Sequence, residues 1–295
     1  MSGTDLLAVC PGPPHTRVDG CTAVETDGLT LWLGPRDGLR ARMAPRHLAR
    51  AAAARARRLE TLLAWGPMLP ALAGQRLDAR GAIDFVRANR PALDRLLARI
   101  GDRVQVQVSV AWDPAKAPGR FGPDLDRARR DLAARIWARL EQAADEVLPL
   151  PVATDGLLNR ALLLPRTRLL ALDAAVEEVD AIWTEGLAIR QVGPMPPVSF
   201  VSLALRRVAG RDVAAARARL GLTGDADDGA IEAARKALLR AGADPGETAA
   251  AAGIAAAAAR LGGGRAHGFP LLSVWSEDRA GPAAAPGPEP AGATA

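Results

Sequence analysis

The residues that most often carry chemistry are few and scattered in this chain of 295 residues. Its histidines are His15, His47 and His267, and no two of them have the spacing of metal ligands on a helix or a loop. The cysteines, Cys10 and Cys21, are too few for a disulfide framework and are expected to pack as small hydrophobic residues. We therefore expect no bound metal, no cofactor and a reducing, cytoplasmic environment.

Motifs of nucleophilic or phosphate chemistry are also missing from the sequence. It has no G-x-S-x-G elbow, no Walker-type loop and no dinucleotide fingerprint after a strand. The run Gly262-Gly263-Gly264 fits a flexible linker, because no strand precedes it and no Lys or Ser/Thr follows in place. Asp113 could act as an acid or base but has no identifiable partner, and Glu177-Glu178 fits a solvated helix face. We predict no catalytic residues and no enzymatic activity.

The charge balance is basic, with 38 Lys and Arg against 33 Asp and Glu and a net charge of +5. Such a balance can indicate nucleic-acid binding. However, Lys116 and Lys236 are the only lysines, and the arginines alternate with acids, as in residues 124–131. This mixture is typical of solvated helix faces. No apolar run approaches the roughly 18 residues of a membrane-spanning helix, so we expect neither nucleic acid nor membrane as a partner.

The first hundred residues predict a small sheet followed by helices. Strand-like runs at Leu6–Cys10, Cys21–Val24 and Leu29–Leu33 include a hairpin signal at Asp27-Gly28. A helix is predicted to begin near Pro45, with an apolar face that runs from Leu48 to Leu63. A second helical stretch is predicted to restart at Pro91.

The middle of the chain predicts a helix-backed antiparallel sheet. Valines from Val104 to Val110 alternate with Gln105, Gln107 and Ser109, which we expect to face outward. The segments that follow are a helix with an apolar side from Leu125 to Val147, a strand at Leu157–Leu164, a helix at Arg166–Trp183 and a strand at Leu187–Val192. This order is that of a ferredoxin-like α+β unit.

The predicted fold class is therefore α+β, with four segments along the chain. Residues 1–101 form an N-terminal α/β domain, and residues 102–208 form the ferredoxin-like α+β domain. Residues 209–279 form an Ala-rich helical region, with helix starts at Asp227 or Asp228 and at Asp244-Pro245. Within it, Leu271 to Trp275 fits either a strand or an apolar anchor. Residues 280–295 are expected to be a disordered tail.

Three segments together resemble the gas vesicle accessory proteins of the GvpF/GvpL family. The first runs from Leu62 to Pro70 and is similar to the family's helix followed by a Gly-x-Val-Leu-Pro turn. The second is Val104 to Asp113, which ends Ala-Trp-Asp and is similar to the family's strand that ends Tyr-Trp-Asp or Tyr-Trp-Asn. The third runs from Gly193 to Phe200 and is similar to the family's Gly-Pro-Trp-Pro-Pro-Tyr-Ser-Phe. Met195 and Val198 replace its two aromatic residues. The resemblance covers about Asp5 to Leu203.

The resemblance implies a non-enzymatic, chaperone-like accessory or structural protein of the gas vesicle, a buoyancy organelle. It implies that the protein binds the major shell protein, and possibly other gas vesicle accessory proteins, and assists vesicle assembly. The protein would be cytoplasmic and associated with the gas vesicle. The predicted partner-binding residues are Gly193, Pro194, Met195, Pro196, Pro197 and Phe200.

Two alternatives stay open. The Gly193–Phe200 segment also fits a simple crossover between strands, with Phe200 in the core. The second interpretation of function is a basic α+β nucleic-acid-binding module. That module would need basic and aromatic residues on one sheet face, and the strand from Val104 to Val110 offers Gln and Ser there instead.

Overall fold

The computed structural model describes residues 4–36, 44–113, 115–121, 124–224, 226–262 and 268–275. Contacts among these residues divide the chain into two compact units. The first unit is built from the described parts of Met1–Asp102 and Leu203–Val274, and the second from Arg103–Ser202 together with Trp275. Apart from Trp275, the described part of the second unit is one continuous stretch of chain, whereas the first unit is completed by residues that follow that stretch.

The sheet of the first unit is antiparallel and is built around its first strand. Its strands are β1 (Thr4–Pro11), β2 (Thr22–Thr26), β3 (Leu29–Gly34), β4 (Leu69–Pro70) and β5 (Arg76–Leu77). They lie in the order β2-β3-β1-β4, and β5 also pairs with β1. Asp27 and Gly28 have φ values of 49° and 73°, as a two-residue hairpin turn between β2 and β3 requires. This confirms the predicted hairpin.

Two long helices belong to the same unit, α1 (Pro45–Trp65) and α2 (Ala79–Ile100). A proline stands in the first turn of α1, which confirms the predicted start. Helix α2 begins after Asp78, whose Oδ1 accepts a hydrogen bond of 2.7 Å from the backbone N–H of Gly81. Because this carboxylate satisfies one of the free N–H groups of the first turn, it fixes where α2 starts.

Two expectations for these helices are wrong. The side chain of Leu48 is 41% exposed, while Leu59 and Leu62 are buried. The apolar periodicity identifies the buried face of α1 but not how far along the helix its neighbours extend. Helix α2 passes through Pro91 without a break, although an internal proline costs about 3 kcal/mol. Burial of Phe85 before the proline and Leu93 after it supports one continuous helix.

The second unit is a four-stranded antiparallel sheet whose helices lie between the strands in the order along the chain. Its elements are β6 (Arg103–Trp112), α3 (Ala117–Phe121), α4 (Leu125–Leu140), β7 (Glu146–Pro149), β8 (Gly156–Pro165), α5 (Leu169–Asp180) and β9 (Leu187–Met195). The strands lie in the order β7-β8-β6-β9, and each neighbouring pair is antiparallel. Apart from the short α3, this is the βαββαβ order of a ferredoxin-like unit.

The core of the second unit lies between one face of this sheet and helices α4 and α5. Alternate residues of β6 enter it, from Val106 to Trp112, and they are joined by Ile136 from α4 and Leu172 from α5. The ring of Phe121 packs edge-on against Trp183, with 5.1 Å between the ring centroids. Val147, predicted to lie on the helix, lies on β7, because α4 ends at Leu140 and a 3-10 turn follows.

After the second unit the chain adds two strands and three helices: β10 (Ser202–Val208), α6 (Gly210–Leu220), α7 (Asp228–Arg240), α8 (Pro245–Arg260) and β11 (Phe269–Trp275). Asp227 caps α7 and Asp244 caps α8, which confirms these predicted helix starts. Alanines of α8 pack against Ala88 of α2. Of the two alternatives for Leu271–Trp275, the structure has the strand, paired with β10.

The predicted α+β class is confirmed by this mixture of helices and antiparallel sheets. The division into four segments stays a prediction, and the predicted tail at residues 280–295 lies outside the described residues. Among the helices that the structure describes, none combines the length and the hydropathy needed to cross a bilayer.

Asn89 holds β11 against α2. Its side chain is buried, and Nδ2 donates hydrogen bonds to the carbonyl oxygens of Phe85 (2.7 Å) and Pro270 (3.1 Å). Its Oδ1 accepts a hydrogen bond of 2.9 Å from the backbone N–H of Leu272. One amide therefore satisfies backbone groups of both elements.

We expect the Asn89→Leu substitution to lower the free energy of unfolding by about 2–3 kcal/mol, because it leaves backbone groups of β11 without partners. Urea unfolding measures this change, and amide hydrogen exchange in β11 should become faster. Thr61→Ala, which removes an exposed hydrogen bond on α1, is the control and should change stability by less than about 0.5 kcal/mol. An unchanged stability of Asn89→Leu would show that β11 is held by other contacts.

Candidate functional site

The predicted partner-binding segment, Gly193–Phe200, begins at the end of β9 and leads toward β10. The pairing of β9 with β6 is irregular here, since Val192 pairs with Gln107 but Met195 pairs with Gln105. Gly193 and Pro194 therefore form a bulge opposite a single residue of β6. Gly193 has a φ of 139°, and a Cβ at this position would lie 2.9 Å from the carbonyl oxygen of Gln105. Only glycine fits this close approach of two backbones.

The structure divides the six predicted residues into an exposed and a buried group. Gly193 and Pro194 are exposed and Met195 is half-buried. Pro196 and Pro197 are buried, and Phe200 is only 2% exposed. A partner can therefore reach the first three residues directly, whereas the last three lie in the interior and support the backbone. The positions of the last three residues are those expected from the alternative interpretation, a crossover between strands with Phe200 in the core.

A tight turn follows the prolines. The carbonyl oxygen of Pro197 accepts hydrogen bonds from the N–H groups of Phe200 (3.1 Å) and Val201 (2.9 Å). The hydroxyl of Ser202 donates to the carbonyl oxygen of Val198 at 2.9 Å. These short-range bonds, together with the fixed φ of the prolines, leave the segment little conformational freedom.

Gln105 connects this turn to the central strand. Its side chain is 3% exposed, its Oε1 accepts a hydrogen bond from the N–H of Ser199 (3.0 Å), and its Nε2 donates to Ser199 Oγ (3.0 Å). The expectation that Gln105 faces outward like Gln107 and Ser109 is wrong, because the alternation of β6 does not show that the turn covers this end of the face. The sequence features closest to a signal for this contact are the glutamine at the start of β6 and the serine in the Pro-rich motif, which become partners only in the folded chain.

The other candidate reactive residues have structural roles. Asp113 Oδ1 accepts a hydrogen bond from the N–H of Ala115 (2.9 Å), and its Oδ2 lies 3.6 Å from Lys116 Nζ, so it caps the turn before α3. Glu177 and Glu178 are exposed on α5. In the described ranges, no group of three or more His, Cys, Asp or Glu residues is arranged to hold a metal ion. His267, Gly263 and Gly264 lie outside the described residues.

Many arginines lie beside carboxylates. Asp145 contacts both Arg103 (2.8 Å) and Arg168 (2.9 Å). The hydrogen bond from Arg235 is the main cause that lowers the pKa of Glu232 to about 2. On the face of the second unit's sheet that points away from α4 and α5, Gln107 Nε2 donates a hydrogen bond of 2.8 Å to Asn159 Oδ1. These arrangements are typical of neutralised surfaces rather than of a continuous basic stripe.

Substituting Gly193→Ala should lower the free energy of unfolding by about 1–3 kcal/mol, because the added Cβ meets the backbone of β6 in a strained conformation. Thermal or urea unfolding measures the loss. Gly253→Ala is the matched control: it lies inside α8 with nothing within 4 Å of the added Cβ. The control should be neutral or stabilising by up to about 1 kcal/mol. Equal stability of the two variants would contradict the close approach at Gly193.

Cys10 should react slowly with alkylating reagents. Burial raises the pKa of its thiol to about 12, against a smaller opposite effect of a hydrogen bond with Trp32. Since the thiolate is the reactive form, alkylation of Cys10 at pH 8 should be at least about a hundredfold slower than that of a free cysteine peptide. Mass spectrometry of peptides after timed iodoacetamide treatment measures the rate. Rapid labelling in the folded chain would show that Cys10 is a reactive thiol.

Comparisons with known proteins agree with this geometry. The family model described as gas vesicle synthesis protein GvpL/GvpF matches residues 19–202. The crystal structure of the gas vesicle protein GvpF from Anabaena sp. PCC7120 is similar at 20% identity and a TM-score of 0.57, covering 67% of this chain and 94% of that chain. GvpF from Microcystis aeruginosa is similar at 18% identity and a TM-score of 0.54, covering 67% of this chain and 98% of that chain. No curated protein matches the chain.

The two solved chains are similar in fold and are covered almost completely, so about a third of this chain has no counterpart in them. The family match ends at Ser202, and β10, the helices α6 to α8 and β11 lie almost entirely beyond it. The resemblance seen in three sequence segments is confirmed. The chain belongs to the gas vesicle synthesis protein GvpL/GvpF family.

Proposed function

We propose that this protein binds the major gas vesicle shell protein and assists its assembly into the vesicle, without catalysing a reaction. A shell subunit with an apolar gas-facing surface would aggregate before it is assembled. A partner that covers this surface until the subunit polymerises would prevent that aggregation. Such a partner needs a stable binding surface rather than reactive side chains.

The observation that supports this proposal most is the shape of the Gly193–Phe200 segment. Gly193, Pro194 and Met195 are accessible, while Pro196, Pro197 and Phe200 are buried beneath the same stretch of backbone. A segment that is already ordered loses little entropy when a partner docks. We infer that the first three residues contact the shell protein and that the last three hold them in position.

In this proposal the protein acts in the cytoplasm and is associated with the gas vesicle. Other gas vesicle accessory proteins are further candidate partners. The second candidate, a basic α+β nucleic-acid-binding module, has less support, because the exposed sheet face carries Gln107, Ser109 and Asn159 instead of stacked aromatic residues. Retention on immobilised nucleic acid with a steep salt dependence would favour that module.

The test is co-expression of the tagged full-length chain with the major shell protein, followed by affinity purification and measurement of the shell protein retained. Met195→Asp places a charge in the accessible part of the segment and should reduce retention at least about tenfold, since it opposes the burial of apolar surface. Leu48→Asp makes the same kind of change at an exposed position on α1 and should leave retention within about twofold.

Circular dichroism and thermal unfolding must show that both variants are folded. No retention of the shell protein by the folded wild-type chain would contradict the proposed function. Retention that is unchanged by Met195→Asp would contradict the location of the binding surface while leaving the function in place.

A further inference from the structure

The sheet of the second unit has two edge strands of very different character. Strand β7 has four residues, ends at Pro149 and is followed closely by Pro151. Short strands and prolines are common protections of a sheet edge. Strand β9 has nine residues and pairs with β6 on one side only. Its other side has no strand partner in the part of the chain that the structure describes, so β9 presents a long edge.

The pairing pattern identifies the backbone groups on this edge. The N–H of Asp113 donates to the carbonyl oxygen of Gly186 at 2.8 Å. In an antiparallel ladder, hydrogen-bonded and non-hydrogen-bonded pairs alternate. With the register Trp112–Leu187 to Gln107–Val192, the backbone groups of Ala188, Arg190 and Val192 therefore point toward β6. Those of Leu187, Ile189 and Gln191 point outward.

Within the described ranges, most of these outward groups lack a backbone partner. The N–H of Leu187 is satisfied by the carbonyl oxygen of Trp183, at 3.0 Å. The carbonyl of Leu187 and both backbone groups of Ile189 and Gln191 have no backbone partner among the described residues. The free edge therefore offers two donors and three acceptors in a row. The Gly193-Pro194 bulge follows directly and ends the regular edge.

An exposed leucine lies beside this edge. The amide of Gln191 donates to Asp173 Oδ1 on α5 at 2.8 Å, which places that side of α5 next to β9. Leu170 lies one helical turn before Asp173 on the same side, and its side chain is 81% exposed. An open strand edge and an apolar side chain are thus close together.

The charges near the edge have a definite arrangement. Leu187 and Ile189 pack against the core beneath α5, so Arg190 projects from the opposite face of the sheet. It is exposed, and no ion pair of its side chain is present in the described ranges. Across the sheet, Glu177 is exposed on the side of α5 that carries Leu170 and Asp173. A strand at this edge would alternate its side chains between these two environments.

We propose that the free edge of β9 receives one extended strand of the major shell protein, which adds to the sheet through main-chain hydrogen bonds to Ile189 and Gln191. This proposal rests on the proposed function and assigns a surface to it. The added strand carries an apolar residue against Leu170 and an acidic residue toward Arg190, on opposite faces of the strand. It lies directly before the accessible residues Gly193 and Pro194, so the two surfaces are continuous along the chain.

A second copy of this chain is a poorer occupant. Along the regular edge, two antiparallel registers of a β9–β9 pair use both Ile189 and Gln191. The first pairs Ile189 with Gln191 and places Arg190 opposite Arg190 of the second copy. The second pairs Gln191 with Leu187, whose N–H is already hydrogen-bonded to the carbonyl oxygen of Trp183. Like charges directly opposite each other destabilise a sheet. Each register of a β9–β9 pair therefore has a defect, like charges or an occupied N–H, that a strand of different sequence avoids.

The experiment compares two substitutions of one residue in the same co-expression and affinity purification. Gln191→Pro removes an outward N–H and places a ring on the edge, while the hydrogen bonds to β6 stay possible. Gln191→Val removes the same side-chain contact with Asp173 but keeps the N–H. We expect Gln191→Pro to reduce the retained shell protein about tenfold, as for the loss of one to two hydrogen bonds. Gln191→Val should retain it within about twofold.

A measurement on the wild-type chain does not depend on the folding of the proline variant. Amide hydrogen exchange, read at single amides by fragmentation, is compared between the chain alone and the purified complex with shell protein. The amides of Ile189 and Gln191 should exchange at least about tenfold more slowly in the complex, because they become hydrogen-bonded. Those of Ala188 and Arg190 should be protected in both states, because they bond to β6.

The outcomes separate this proposal from the function on which it rests. If the wild-type chain retains no shell protein, the proposed function is wrong, and this surface with it. If the wild-type chain retains shell protein and Gln191→Pro does so equally, or if Gln191→Val loses it too, the edge is not the binding surface. Unchanged exchange at Ile189 and Gln191 in the complex would also exclude the edge. A dimer by light scattering that Gln191→Pro dissociates, with retention unchanged, would assign the edge to a second copy.

Discussion

The hydrogen bonds between Gln105 and Ser199 are the constraint on which the candidate site depends. A buried primary amide needs partners for both its oxygen and its nitrogen, and a single residue of the turn supplies an N–H and a hydroxyl for them. The backbone of Gly193 also lies close to the carbonyl oxygen of Gln105. The central strand thus positions the Pro-rich segment at both of its ends, and the exposed residues between are held without needing a partner.

Much of the fold could be predicted because local signals and burial agree. The alternating valines of β6, the Asp27-Gly28 turn and the aspartates before α7 and α8 each specify their element through a short-range effect. The failures occur where a distant element decides. Pro91 does not interrupt α2, because burial on both sides of it outweighs the local cost. Leu48 is exposed because the described residues leave the first turns of α1 uncovered.

The site could be predicted only in part for the same reason. The motif from Gly193 to Phe200 indicated its place in the chain, but which of its residues are accessible depends on how the turn folds over β6. The burial of Gln105 and of Phe200 results from tertiary packing. The alternating pattern of a strand does not show which residues another segment will cover. The free edge of β9 could not be predicted either, because a sequence indicates that a strand forms but not on which side it pairs with another strand.

The continuity of residues 103–202, which build the sheet of the second unit, has a consequence for biosynthesis. Residues 103–202 are complete once Ser202 has emerged, whereas the first unit lacks β10, β11 and the helices between them until about 70 more residues have been made. At roughly 5–20 residues per second, this is a delay of several seconds. The sheet with the free strand edge can therefore form while the rest of the chain is still being synthesised. A nascent chain of this design would present that edge to its first partners before β10, the helices α6 to α8 and β11 have joined the first unit.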